Sequence, residues 1–194
     1  MTASEEINSF RRQIQRFVSF SDEDWNLIVP HLTEKQLKKN QLFAQEGKIA
    51  KDIAFVLEGN LRQFYVRDGE DKTTYFCFGT HLVSSYISCV TGEPSQLSNQ
   101  SLTNSRLLIF SYPVLQSIYA QSKQWEKFGR LIGECISSGL EESKVSLLML
   151  CLEERYHQLM QSNKQKIPGR IPQHYIANYP GIAPASLGRL PNRA

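Results

Sequence analysis

The chain has no long apolar run: LLMLCL at 147–152 is far shorter than a bilayer span requires, so no membrane partner is expected. Its first residues, MTASEEINSFRRQIQRF, are polar and mixed in charge, and carry no secretory pattern. The four cysteines (Cys77, Cys89, Cys135, Cys151) form no CxxC, no zinc-ligand spacing and no close thiolate group for an iron–sulfur cluster. They read as small apolar residues in a reducing cytoplasm. The four histidines (His31, His81, His157, His174) fall in separate segments, which argues against a metal centre and against an enzyme. Two charge gaps are informative. No Lys or Arg lies between Lys72 and Arg106, and no Asp or Glu lies between Arg155 and the last residue.

What is present is ordinary in bulk and uneven in detail. The 194 residues are 41% hydrophobic and 21% charged, enough to bury a core without covalent staples. Residues 1–154 hold 16 basic and 19 acidic side chains, whereas the acid-free remainder holds six Lys or Arg. That imbalance suggests a basic, polyanion-facing tail on a nearly neutral body.

Ile7, Phe10, Ile14, Phe17 and Val18 share one face of an amphipathic helix over 4–18. Ser21, with Asp24 three residues on, starts a second helix, which Pro30 helps to end. Between about 35 and 110 short aromatic and β-branched segments alternate with glycines, which predicts an antiparallel roll or barrel. The clearest hairpin is NLRQFYV–RDGEDK–TTYFCF, with Asp68-Gly69 in a loop longer than two residues. Both faces of its second strand are fairly apolar, so a helix or partner is expected on the side away from the core. The segment HLVSSYISCVTGEPSQLSNQS, 81–101, interrupts the strands and is the place where a roll could hold a ligand.

Beyond Pro113 the pattern is helical almost to Met160, with Gly129, Gly133 and Ser137-Ser138-Gly139 permitting close helix approach. This predicts a parallel dimer helix; a helix that merely covers the roll is the alternative. A polar connector, NKQKIPGRIP, leads to a candidate helix-turn-helix. With Gln173 as its first position, Ala177 is fifth, Gly181 ninth, Leu187 fifteenth and Leu190 eighteenth. A small residue at 177 permits a close crossing, and glycine at 181 can stop the first helix. Ile176, Ile182, Leu187 and Leu190 would form the core between the helices, and Pro184 suits the first turn of the second. Arg170, His174, Ser186, Arg189 and Arg193 are the candidate DNA-contacting residues, with Arg189 the best placed for a base edge. Pro180 opposes helical geometry at Tyr179, and Pro191 ends the second helix after about two turns.

IAFVLEGNLRQFYV, RIPQHYIANYPGIAPASLGRL and the order of all the parts resemble the cyclic-AMP receptor protein and fumarate–nitrate regulator (Crp/Fnr) family of bacterial transcription factors. The C-terminal stretch looks especially like the shorter members common in Bacteroidetes-type bacteria. The resemblance implies an α+β fold: a cyclic-nucleotide-binding-like antiparallel β-roll (double-stranded β-helix), a long dimerisation helix and a C-terminal helix-turn-helix. It divides the chain into a sensor at 1–112, a dimerisation region at 113–162 and a DNA-binding region at 163–194. In the family's cyclic-AMP binders a Gly-Glu pair holds the ribose and an Arg the phosphate. Here Ser84 and Ser85 stand about where the Glu belongs, the Arg position falls among Pro94, Ser95 and Gln96, and Gly92-Glu93 comes too late. Ser84, Ser85, Glu93 and Ser95 are therefore the pocket candidates, cyclic AMP is not expected, and any small-molecule effector is another compound. The expected function is a homodimeric, cytoplasmic, DNA-binding transcriptional regulator. The alternative is a ligand-binding or protein-interaction module with a degenerate, non-DNA-binding helix-turn-helix.

Overall fold

The structure is a computed structural model that describes residues 3–162, 167 and 171–179. Helix α1, Ala3–Ile14, is shorter than the sequence pattern suggests, although Val18 beyond it is still buried. Helix α2, Asp22–Ile28, starts where expected: Ser21 Oγ accepts from the Asp24 N–H at 3.0 Å. A 3-10 turn at Val29–His31 takes Pro30 at its start.

Eight strands follow: β1 Thr33–Leu37, β2 Leu42–Ala44, β3 Asp52–Glu58, β4 Leu61–Arg67, β5 Glu70–Cys77, β6 Leu82–Val83, β7 Ser98–Ser101 and β8 Ser105–Ser111. They form two antiparallel four-stranded sheets, ordered β1-β8-β3-β6 and β2-β7-β4-β5. Alternation along β3 explains the layering. Ala54 and Val56 join Leu61, Cys77, Val83 and Leu107 between the sheets, while Ile53 and Phe55 face the opposite way. On that outer face Phe10, Ile14, Trp25, Ile28, Trp125 and Phe128 cover the first sheet. Arg106 of β8 ties the layer down by pairing with the buried Glu6 of α1 and, at 2.8 Å, with Glu34 of β1.

The turn between β3 and β4 needs a glycine. Gly59 has φ +98, and a Cβ there would meet Ser105 Oγ at 2.1 Å. The β4–β5 hairpin is tighter than the sequence suggests. Arg67 pairs with Glu70, so the turn is only Asp68-Gly69, with φ of 55 and 78. Positive φ at both central residues is what a two-residue type I′ turn requires.

The 81–101 segment is also more ordered than a loop. It contains β6, helix α3 at Tyr86–Thr91 and β7. The single helix expected beyond Pro113 divides into α4 Tyr112–Tyr119, α5 Lys123–Met149 and α6 Leu152–Ser162. At the first break Ser122 caps α5, and its hydroxyl reaches the Asp24 carboxylate at 2.5 Å. The second break is held by Glu154, whose carboxylate accepts from the Cys151 N–H at 2.8 Å. Gly129 serves the α4–α5 contact, because a Cβ there would sit 2.4 Å from the Tyr119 hydroxyl; Gly133 and Gly139 face open space. Helix α7, Gln173–Asn178, is the last described helix, with Tyr179 following it. No helix among the described residues is long and apolar enough to cross a membrane.

Candidate functional site

The 81–101 insertion folds back on itself and brings two of the four pocket candidates together. Ser85, just before α3, and Ser95, after it, are both buried, and their hydroxyl oxygens lie 2.6 Å apart. Ser95 is further engaged: its hydroxyl donates to the Leu97 carbonyl at 2.6 Å and accepts from the Leu97 N–H. Ser84 is half-buried, and its carbonyl accepts from Gln63 Nε2 at 3.0 Å. Glu93 stands apart and exposed; its backbone carbonyl accepts from the Ser88 hydroxyl at 2.6 Å. Ser88 in turn accepts from the Ala50 N–H at 2.9 Å, which fastens α3 to the loop before β3.

Sequence reasoning missed the polar residues that the sheet contributes. Asn99 of β7 is paired with Gln63 of β4 and Ala44 of β2. Alternation places Asn99 on the same face as Ser101, which is opposite Leu61 of the inter-sheet core. It is 0% exposed, and neither amide atom has a hydrogen-bond partner among the described residues. A lone Asn in SNQS carries no local signal of this, because only the pairing register buries it. The cation gap between Lys72 and Arg106 leaves the insertion without a guanidinium or ammonium group. Among the described residues no group of three His, Cys, Asp or Glu could hold a metal ion. Burial pushes the Cys77 thiol up to about 12 and the Cys89 thiol up to about 11, which keeps both protonated and unreactive. A surface recess of about 280 Å³ opens beside Phe43, Lys48, Ile49 and Lys51; none of the four candidates lines it, although the Ser95 N–H donates to the Lys48 carbonyl at 2.9 Å.

The second candidate region is the arm formed by α5, α6 and α7. The distal half of α5 leaves Ile136, Leu140, Val145, Leu147, Leu148 and Met149 exposed, with Leu148 at 75% and Met149 at 77%. Ile136, Leu140 and Leu147, at steps of four and seven, form one stripe.

Of the candidate DNA-contacting residues, His174 is exposed on α7, its ring 4.0 Å from that of Tyr175. Arg170, Ser186, Arg189 and Arg193 lie outside the described residues, as do Gly181, Leu187 and the whole second helix. One expectation about the first helix is corrected. Tyr179 is helical, with φ −62 and ψ −57, despite the proline that follows. Its ring is anchored on Phe76 at 5.5 Å, a contact that offsets the local preference. Ile176, expected in the core between two short helices, is buried with Phe76, Phe78, Leu102, Leu159, Ile167 and Ile171; the second helix lies outside the described residues. The outer apolar face of β5 is thereby covered by the chain's own C-terminal arm.

No protein-family model and no curated protein matches the sequence. Solved structures do match. FixK2 from Bradyrhizobium japonicum superposes with a TM-score of 0.68 at 15% identity, covering 82% of each chain. A transcriptional regulator of the Crp/Fnr family from Eubacterium rectale gives 0.68 at 17% identity, covering 88% of this chain and 82% of that one. The c-di-GMP-responsive global regulator CLP of Xanthomonas campestris gives 0.67 at 14% identity, over 88% and 89%. The chain therefore has a cyclic-nucleotide-binding-like fold of antiparallel sheets and helices, and its structural neighbours include a regulator of the Crp/Fnr family.

Proposed function

We propose that the chain is a DNA-binding transcriptional regulator, working as a homodimer in the cytoplasm and without enzymatic activity. The sensor would occupy 1–112, the dimerisation region 113–162 and the DNA-binding region 163–194. The observation that carries this reading is the join between fold and arm. A roll of the cyclic-nucleotide-binding kind feeds a 27-residue helix with an open apolar stripe, and the acid-free, basic segment follows. Such a helix is about 40 Å long, enough to pair with a second copy well clear of the roll. Two basic arms held by one dimer would address two half-sites on DNA.

The roll, in this reading, does not take cyclic AMP. Ser85 and Ser95, near the stretches that in the family's cyclic-AMP binders would meet ribose and phosphate, hydrogen-bond each other. A buried phosphate needs a cation or several N–H donors, and the insertion brings no cation. An effector, if the roll takes one, is an uncharged or weakly charged molecule able to meet the Asn99 amide. Titrating the full chain with DNA from its own upstream region, against random DNA, tests the regulator reading.

A further inference from the structure

Arg62 of β4 is a buried cation on the outer face of its sheet, with a side chain only 3% exposed. Its edge is fully committed to the roll. Nε donates to Gln100 at 3.0 Å, Nη1 to Thr73 at 3.2 Å and Nη2 to the Asp71 carboxylate at 2.5 Å. Thr73 reaches this face because the β4–β5 register shifts between Gln63 and Phe64, which leaves Thr74 unpaired and turns Thr73 outward. The guanidinium plane has rings on it as well: Phe64 of the same strand at 4.2 Å and Tyr175 of α7 at 3.8 Å. One turn along α7, Tyr179 stacks on Phe76 at 5.5 Å.

We infer that Arg62 is a positioning residue for the C-terminal arm: the roll holds its guanidinium flat so that Tyr175 seats on it and fixes where α7 lies. The inference rests on the DNA-binding reading of the arm for its consequence, though not for its geometry. A lysine could not do the same work, since a point charge has neither the plane nor the fork that three strand partners orient. Apolar burial by Ile171 and Ile176 supplies adhesion, while the stacked pair supplies direction. Gln63, the next residue on β4, bonds the Ser84 carbonyl of the insertion, so sensor and arm are joined through neighbouring residues of a single strand.

Hydrogen exchange read by mass spectrometry on the full chain tests this. Tyr175→Leu keeps apolar bulk but removes the ring, and we expect amides of 173–179 to exchange about tenfold faster while β4, β5 and β7 stay protected. Tyr175→Phe retains the stack and should exchange like the natural chain. Arg62→Lys should loosen 173–179 as Tyr175→Leu does, and the double variant should be no looser than either. If Arg62→Lys also unfolds the roll, the two Tyr175 variants decide alone. Unchanged exchange in Tyr175→Leu, equal loosening by Tyr175→Phe, or multiplying effects in the double variant would overturn the assignment. In the DNA titration Tyr175→Leu should bind more weakly with the same salt slope, and tighter binding would overturn the positioning role. A natural chain that binds no DNA would defeat the regulator reading, and the exchange data would still decide the role of Arg62.

Discussion

Ser85 Oγ and Ser95 Oγ lie 2.6 Å apart, closing the two ends of the helical insertion on each other. A hydroxyl pair of this kind is neutral and self-satisfied, so it offers nothing to a phosphodiester. Millimolar cyclic AMP should therefore leave the thermal midpoint unchanged. A ligand at a hundred times its dissociation constant would add about 2.7 kcal/mol. That is a rise of several degrees for a chain of this size, and observing it would refute the account of the insertion.

The Asn99 amide is buried without a partner among the described residues, which costs about 1–3 kcal/mol relative to an apolar side chain of similar size. Asn99→Val should accordingly raise the thermal midpoint by about 2–4 °C, helped by the strand preference of valine. A lower midpoint would mean that the amide is hydrogen-bonded in the folded protein.

Leu140 is 66% exposed in the middle of the α5 stripe. Leu140→Glu should shift the molecular mass measured by light scattering from two chains to one at micromolar concentration. Its circular dichroism should stay that of the natural chain, because no core cluster of the roll includes this residue. A variant that stays dimeric would place the interface elsewhere.

Asp24 joins α2 to α5: its carboxylate accepts from Ser122 at 2.5 Å and from Ser21 at 2.9 Å, and its carbonyl accepts from Trp125 Nε1 at 2.8 Å. The Ser122 hydrogen bond leads in holding its carboxyl below the usual carboxylate range, against the opposing effect of burial. A lowered folded-state value means the contribution is present above the unfolded value and lost as pH falls through the folded one. Asp24→Asn should cost about 1 kcal/mol near neutral pH, a figure reduced for solvent screening, and this difference should shrink under acid conditions. Urea unfolding at several pH values measures it; a difference that grows on acidification contradicts the sign.

The roll, the Ser21 cap and the covered outer face of β5 were all legible in the sequence, because each follows from local periodicity or capping chemistry. The β4–β5 turn was not, because Arg67 and Glu70 look like loop residues although they form the last ladder pair of a projecting hairpin. Nor was the break at Leu150–Cys151, where no proline or glycine interrupts the apolar run and the stop comes from Glu154 capping the next helix. Within the candidate site, Ser85 and Ser95 could be chosen from their places along the insertion, but their meeting depends on how α3 folds back. Arg62 gave no local signal, since the ring it holds comes from the far end of the chain.

Fluorescence anisotropy of the full chain on labelled DNA from its own upstream region, against random DNA and across a salt series, tests the central claim most directly. The account predicts tighter binding to the upstream DNA, weakening as salt rises because basic arms displace counterions from phosphates. Equal, negligible binding to both DNAs at low salt would contradict it.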